Sequence, residues 1–154
     1  MMKVQAFDVI GIAVRTTNEN GQSGKDIPAL WDRFMKEGVL AQIPNKVNDT
    51  IYSIYTDYEK DHTRPYTTIL GCKVHTLEQL PAGMTACTIE AADYEQYIAK
   101  GDIWQGSVFK EWVGIWNSDL QRAYTADFEV YDSRASDPHN AEVDIFVAVQ
   151  VFRY

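Results

Sequence analysis

Two cysteines among 154 residues, Cys72 and Cys87, are too few for a disulfide framework, and each sits in an apolar run as a reduced core thiol does. The three histidines, His62, His75 and His139, are scattered, and none has a Cys or a second His at ligand spacing, so neither a metal nor a cofactor is expected. Positive charge is scarce. Fourteen Lys and Arg stand against 22 Asp and Glu, a net charge of −8, which argues against direct nucleic-acid binding because phosphates need a basic face. Nothing approaches the roughly 20 apolar residues that cross a bilayer, and Met1-Met2-Lys3-Val4 leads into no signal-peptide core. A cytoplasmic protein without membrane contact is the expectation.

Two familiar site patterns are also missing. Gly21-Gln-Ser-Gly24-Lys25-Asp26 has two residues between its glycines where a phosphate loop has four, and Asp where Ser or Thr holds magnesium. No Gly-x-Ser-x-Gly occurs, and Ser107, after Gly106, reads as a helix cap rather than a nucleophile.

What is abundant is aromatic: nine Tyr, four Trp and six Phe. Tyr and Trp carry a polar edge that needs a partner, and their surplus over a minimal core is a first sign of a ligand cavity. The remaining balance, 45% hydrophobic and 23% charged, is that of a globular chain, and this length predicts one domain over residues 1–154.

The chain reads as two similar halves, about 1–78 and 79–154. Residues 4–17 are expected to be strand, with Gly11 as a bulge. A helix is expected from Asp26 as N-cap, with apolar positions Ile27, Leu30, Trp31, Phe34 and Met35, ending at Gly38. Strands 51–56 and 66–76 follow, separated by the charged turn 57–65. The order then repeats: extended chain over 84–100 with a break near Ala91-Ala-Asp93, and a helix capped by Ser107 with the stripe Val108, Trp112, Ile115, Trp116 and Leu120. Strands 126–131 and 142–152 complete it. Trp31 and Trp116 occupy corresponding helical places. A duplicated βαββ unit predicts an α+β fold with pseudo-two-fold symmetry: an antiparallel sheet, helices on one face, and a ligand cleft between the halves.

In the segment Asp127-Phe-Glu-Val-Tyr131, alternation places Phe128 and Val130 on one face and Glu129 and Tyr131 on the other. Phe128 and Val130 are expected under the helices. Glu129 and Tyr131 then face away, beside Ser53 and Tyr55 of the matching strand. If that face meets water, Glu129 is one more surface carboxylate. If it lines the cleft, Glu129 is a carboxylate ringed by aromatics, suited to a lipophilic cation. Trp31 reads better as core packing, whereas the rim of Trp112 or Trp116 reaches the cleft. The acidic residues Asp57, Glu59 and Asp61 near Tyr52, Tyr55, Tyr58 and Tyr66 form a solvated turn that also concentrates cations.

The chain resembles the GyrI-like effector-binding domain, the small-molecule module found alone or at the C-terminus of AraC- and MerR-type transcription regulators. The matching stretches are Ile10–Asn18, Ile27–Phe34, Ile51–Tyr58, Tyr66–Val74, Tyr94–Gly101, Trp112-Val-Gly-Ile-Trp116 and, most specifically, Asp127-Phe-Glu-Val-Tyr131. The resemblance implies paired βαββ units with a pocket between them, and a Glu, here Glu129, that contacts cationic or polar aromatic ligands. Regulators of that family carry an upstream helix-turn-helix domain. Here the first strand is expected by Val4, which leaves no room for one.

The expected function is binding of a hydrophobic, cationic small molecule, with Glu129 as charge anchor and Tyr55, Tyr66, Trp112, Trp116 and Tyr131 as aromatic walls. Drug sensing, sequestration and transcription regulation are roles the resemblance implies. Two other readings stay open: hydrolysis of strained, cyclopropane-type electrophiles with Glu129 as general base, and a protein-interaction module.

Overall fold

A computed structural model describes residues 1–151. Eight strands form one antiparallel sheet: β1 (Met2–Val4), β2 (Phe7–Thr16), β3 (Ile51–Thr56), β4 (Tyr66–Val74), β5 (Thr85–Ile89), β6 (Ala92–Gly101), β7 (Ala126–Tyr131) and β8 (Ala141–Ala148). Their spatial order is β1-β6-β8-β7-β3-β4-β2-β5. The order is symmetric about the β3–β7 ladder, as two equivalent units meeting edge to edge require. Helices α1 (Ser23–Lys36) and α3 (Ser107–Trp116) occupy corresponding places after β2 and β6, and a short helix α2 (Val39–Gln42) follows α1. The fold is α+β.

The outermost strands are exchanged between the units. β1 pairs with β6 and β5 with β2, so the first residues edge the second unit and residues 85–89 edge the first. Of the expected strand 4–17, β2 forms Phe7–Thr16, while Val4 belongs to β1 and has a different partner. No bulge occurs at Gly11. It stands in continuous register opposite Gly71, and a Cβ on Gly11 would come within 2.0 Å of the Leu70 carbonyl oxygen. The glycine serves a close backbone approach.

The expected helix caps also differ. α1 begins at Ser23, three residues ahead of Asp26, whose carboxylate instead accepts from Thr16 Oγ1 at 2.9 Å and Gln22 Nε2 at 3.0 Å. Ser107 caps nothing, and its buried hydroxyl has no partner. Each helix is instead entered through a short 3₁₀ turn and a left-handed glycine, Gly21 (φ 70°) and Gly106 (φ 88°). Of the expected last strand, Ala141–Ala148 is formed and position 152 lies outside the described residues.

Both helices cover the same sheet face. Leu30 and Phe34 of α1 pack on Ile10, Ile12, Leu70 and Cys72, while Trp112 and Ile115 of α3 pack on Val143, Ile145 and Val147. Burial in the first cluster pushes the Cys72 thiol up to about 11, and both cysteines are free. The other face has no helix, yet Val9, Ile54, Tyr94 and Phe128 on it are buried together. The sheet curls upon itself to achieve this: three strand spacings, about 14 Å if flat, separate β2 from β7, but the Phe7 and Phe128 rings meet at 5.3 Å, edge to face. Phe128 and Val130 therefore belong to the helix-free face, the reverse of the expectation, and Glu129 and Tyr131 lie on the helix side.

Candidate functional site

Because α1 sits over β2 and β4 and α3 over β6 and β8, the central β3–β7 ladder is left uncovered between the helices. A cavity of about 600 Å³ opens there, within the range of small-molecule sites. Tyr55, Glu129 and Tyr131 form its floor. Ser23, Gly24, Ile27 and Trp31 form the α1 wall, and Val108, Phe109, Trp112 and Trp116 the α3 wall. These two sets are matched position for position along their helices, starting from Gly21 and Gly106. Asn18, His62 and Tyr66, all from the first half of the chain, also line it.

Glu129 is 2% exposed. One carboxylate oxygen accepts from Trp112 Nε1 at 2.7 Å and Tyr55 OH at 2.8 Å, the other from Tyr131 OH at 2.6 Å. All three donors are neutral, and among the described residues no Lys, Arg or His pairs with it. Burial raises its pKa, while the three hydrogen bonds oppose the rise. Burial first, then the nearby carboxylate, hold the Tyr55 and Tyr131 hydroxyls well above their ordinary value, so both remain donors.

Two residues along β7, Asp127 is fully buried and does have a cation. It accepts from Arg122 Nη2 at 2.7 Å, Tyr58 OH at 2.5 Å and the Ala148 backbone N–H at 2.8 Å. Arg122 in turn lies over the Tyr124 ring, 4.4 Å from its centroid, and 5.6 Å from that of Trp112. Arg122 and Asp127 cancel, which leaves Glu129 as the uncompensated acid of the cavity.

The six residues expected at a site, Glu129, Tyr131, Tyr55, Tyr66, Trp112 and Trp116, all line this one cavity. Tyr66 donates to Asn18 Oδ1 at 2.7 Å and meets Tyr55 edge to face at 5.9 Å. Trp31, expected in the core, also lines the cavity and sets its edge against Tyr131 at 4.8 Å. Its correspondence to Trp116 was the available signal. His62 and Arg122 carried none, since each comes from a loop whose path no periodicity encodes. The His62 ring stacks parallel to Trp116 at 5.6 Å, with Nδ1 3.2 Å from the Tyr124 hydroxyl. Burial and the Arg122 charge lower its pKa, which favours the neutral ring. Among the described residues no cluster of three or more His, Cys, Asp or Glu is placed to hold a metal, and no helix is long and apolar enough to cross a membrane.

The family model for integron-associated effector binding proteins matches residues 1–149. The chain belongs to that family. A relative, YobU of Bacillus subtilis (strain 168), a protein named as a transcriptional regulator, is 30% identical over 144 residues, covering 91% of this chain and 90% of YobU. The crystal structure of the Vibrio cholerae integron cassette protein VCH_CASS2 is also 30% identical, with a TM-score of 0.73 over 97% of this chain and 94% of that one. The same fold is found at 17% identity in the structure of SAV2435 bound to tetraphenylphosphonium, with a TM-score of 0.79 over 97% of this chain and 92% of that one.

Proposed function

We propose that this effector-binding protein reversibly binds a lipophilic organic cation between α1 and α3, with Glu129 as the charge anchor. The observation that carries the reading is the contrast on β7: Asp127 has an arginine and Glu129 has only neutral donors. A buried carboxylate without a cation is costly, and a bound cation relieves that cost. Trp31, Tyr55, Trp112, Trp116 and Tyr131 present ring surface around the carboxylate. Each face adds roughly 0.5–2 kcal/mol to a cation's binding when desolvated. Delocalised or shielded cations suit such a site, because they give up little hydration on entering an apolar hollow. The tetraphenylphosphonium in SAV2435, a protein of the same fold, is a ligand of that chemistry.

The test is titration with tetraphenylphosphonium followed by tryptophan fluorescence, since three of the four Trp line the cavity. Saturable quenching at micromolar concentration that falls at least tenfold in affinity in Glu129→Gln supports the reading. Equal affinity in the two proteins rejects Glu129 as anchor, and no quenching in the unmodified protein rejects cation binding.

A further inference from the structure

The two walls of the cavity occupy equivalent positions and are unequally filled. Where the α3 wall has Trp112, the α1 wall has Ile27. Where the α3 wall has Phe109, whose ring lies 5.9 Å from Trp116 at the cavity mouth, the α1 wall has Gly24. A Cβ built on Gly24 meets nothing within 4 Å. The floor is unequal in the same sense. Tyr55 and Tyr131 correspond, but the place equivalent to Glu129 is Ser53, so the charge anchor has no counterpart.

We infer that the α1 wall is a separate apolar subsite, which takes an aromatic ring on the side of the ligand remote from the Trp112 wall, and that Gly24 sets how large a group it admits. The inference rests on the cation-binding reading and deepens it. Duplication built two equal recesses. The second carries the aromatic rings of Phe109, Trp112 and Trp116, and the first leaves open space beside Gly24, with Ile27 and Trp31 on the same wall. A ligand that fits both is asymmetric in its contacts: its cationic centre lies towards Glu129 and Trp112, and its excess ring surface towards α1. Gly24 lies in the first turn of α1 outside the left-handed region, so a larger residue fits its backbone without strain and fills the recess alone.

Two cations that differ by one ring, tetraphenylphosphonium and methyltriphenylphosphonium, read the subsite directly. Both are titrated by tryptophan fluorescence into the unmodified protein, Gly24→Ala and Gly24→Phe. The expected result is a loss of at least tenfold in tetraphenylphosphonium affinity in Gly24→Phe, with less than a threefold loss for methyltriphenylphosphonium and a smaller effect of the same kind in Gly24→Ala. An equal loss for both cations overturns the inference, because the substitution then acts on the anchor or the fold. No loss for either also overturns it, because the recess is then unused. Failure of the unmodified protein to bind either cation overturns the proposed function as well, and is seen before any substitution is compared.

Discussion

Ser53 stands directly across the β3–β7 ladder from Glu129, and the two are each other's counterparts in the duplicated units. The equivalence follows from the ladders on either side: Ser53 opposes Leu70 on β4 as Glu129 opposes Ile145 on β8. The pseudo-two-fold axis thus passes between a hydroxyl and a carboxylate. Tyr55 and Tyr131, two positions further along each strand, both reach the single carboxylate, while Ser53 donates to the Tyr55 oxygen at 3.2 Å. A symmetric pair of donors serves an unsymmetric acceptor, which gives the cavity one charged pole.

Burial raises the Glu129 pKa, and this fixes the sign of two pH effects. Without ligand, its contribution to folding is fully present below the unfolded carboxyl value of roughly 4.3 and is lost as pH rises through the higher folded value. Cation affinity runs the other way, rising over that window as the carboxylate forms. The stabilisation by tetraphenylphosphonium, read as a shift in Tm, should therefore grow with pH and then level off. Glu129→Gln should abolish that growth, and a persisting slope would assign it to another group.

Tyr131→Phe removes one of the three donors that oppose the desolvation of Glu129. A hydrogen bond to a charged group contributes about 1.5–3 kcal/mol, so the midpoint of the affinity–pH curve should move up. Isothermal titration across pH 4–8 measures it, and an unmoved midpoint would mean that water replaces the hydroxyl.

Arg122→Met should cost about 3–5 kcal/mol of stability, because it strands the fully buried Asp127 carboxylate. The double variant Arg122→Met with Asp127→Asn should recover most of the loss in urea unfolding. If the double variant is no more stable than the single one, packing of the guanidinium against Tyr124 and Trp112 is the larger contribution.

Gly11→Ala and Gly71→Ala should each lose about 1–3 kcal/mol, since the added methyl meets backbone rather than a movable side chain. Gly24→Ala, in open space on a helix, should gain about 0.5–1 kcal/mol. Thermal unfolding of the three variants compares them, and a tolerated Gly11→Ala would show that β2 and β4 can part.

Much of the site could be read from alternation and spacing. The period of two in Asp127–Tyr131 joined Glu129 to Tyr131 and, through the matching strand, to Ser53 and Tyr55. The helical period placed Trp112 and Trp116 on one stripe. Local patterns carry this information because side-chain direction follows directly from backbone repeat.

Which sheet face the helices took was not encoded that way. One face of β7 carries Phe128 and Val130 and the other Asp127, Glu129 and Tyr131, so local pattern assigns the helices to the first face, whereas the fold places them over the second. The choice was made by a long-range event, the curling of the sheet that lets Phe7, Tyr94 and Phe128 bury one another without a helix. That event left the opposite face for α1 and α3. It also brought Trp31 out of the core onto Tyr131, gave Asp127 its arginine, and left Glu129 without one. Contacts between residues far apart in the chain depend on how whole elements pack, and no window of neighbouring residues contains them.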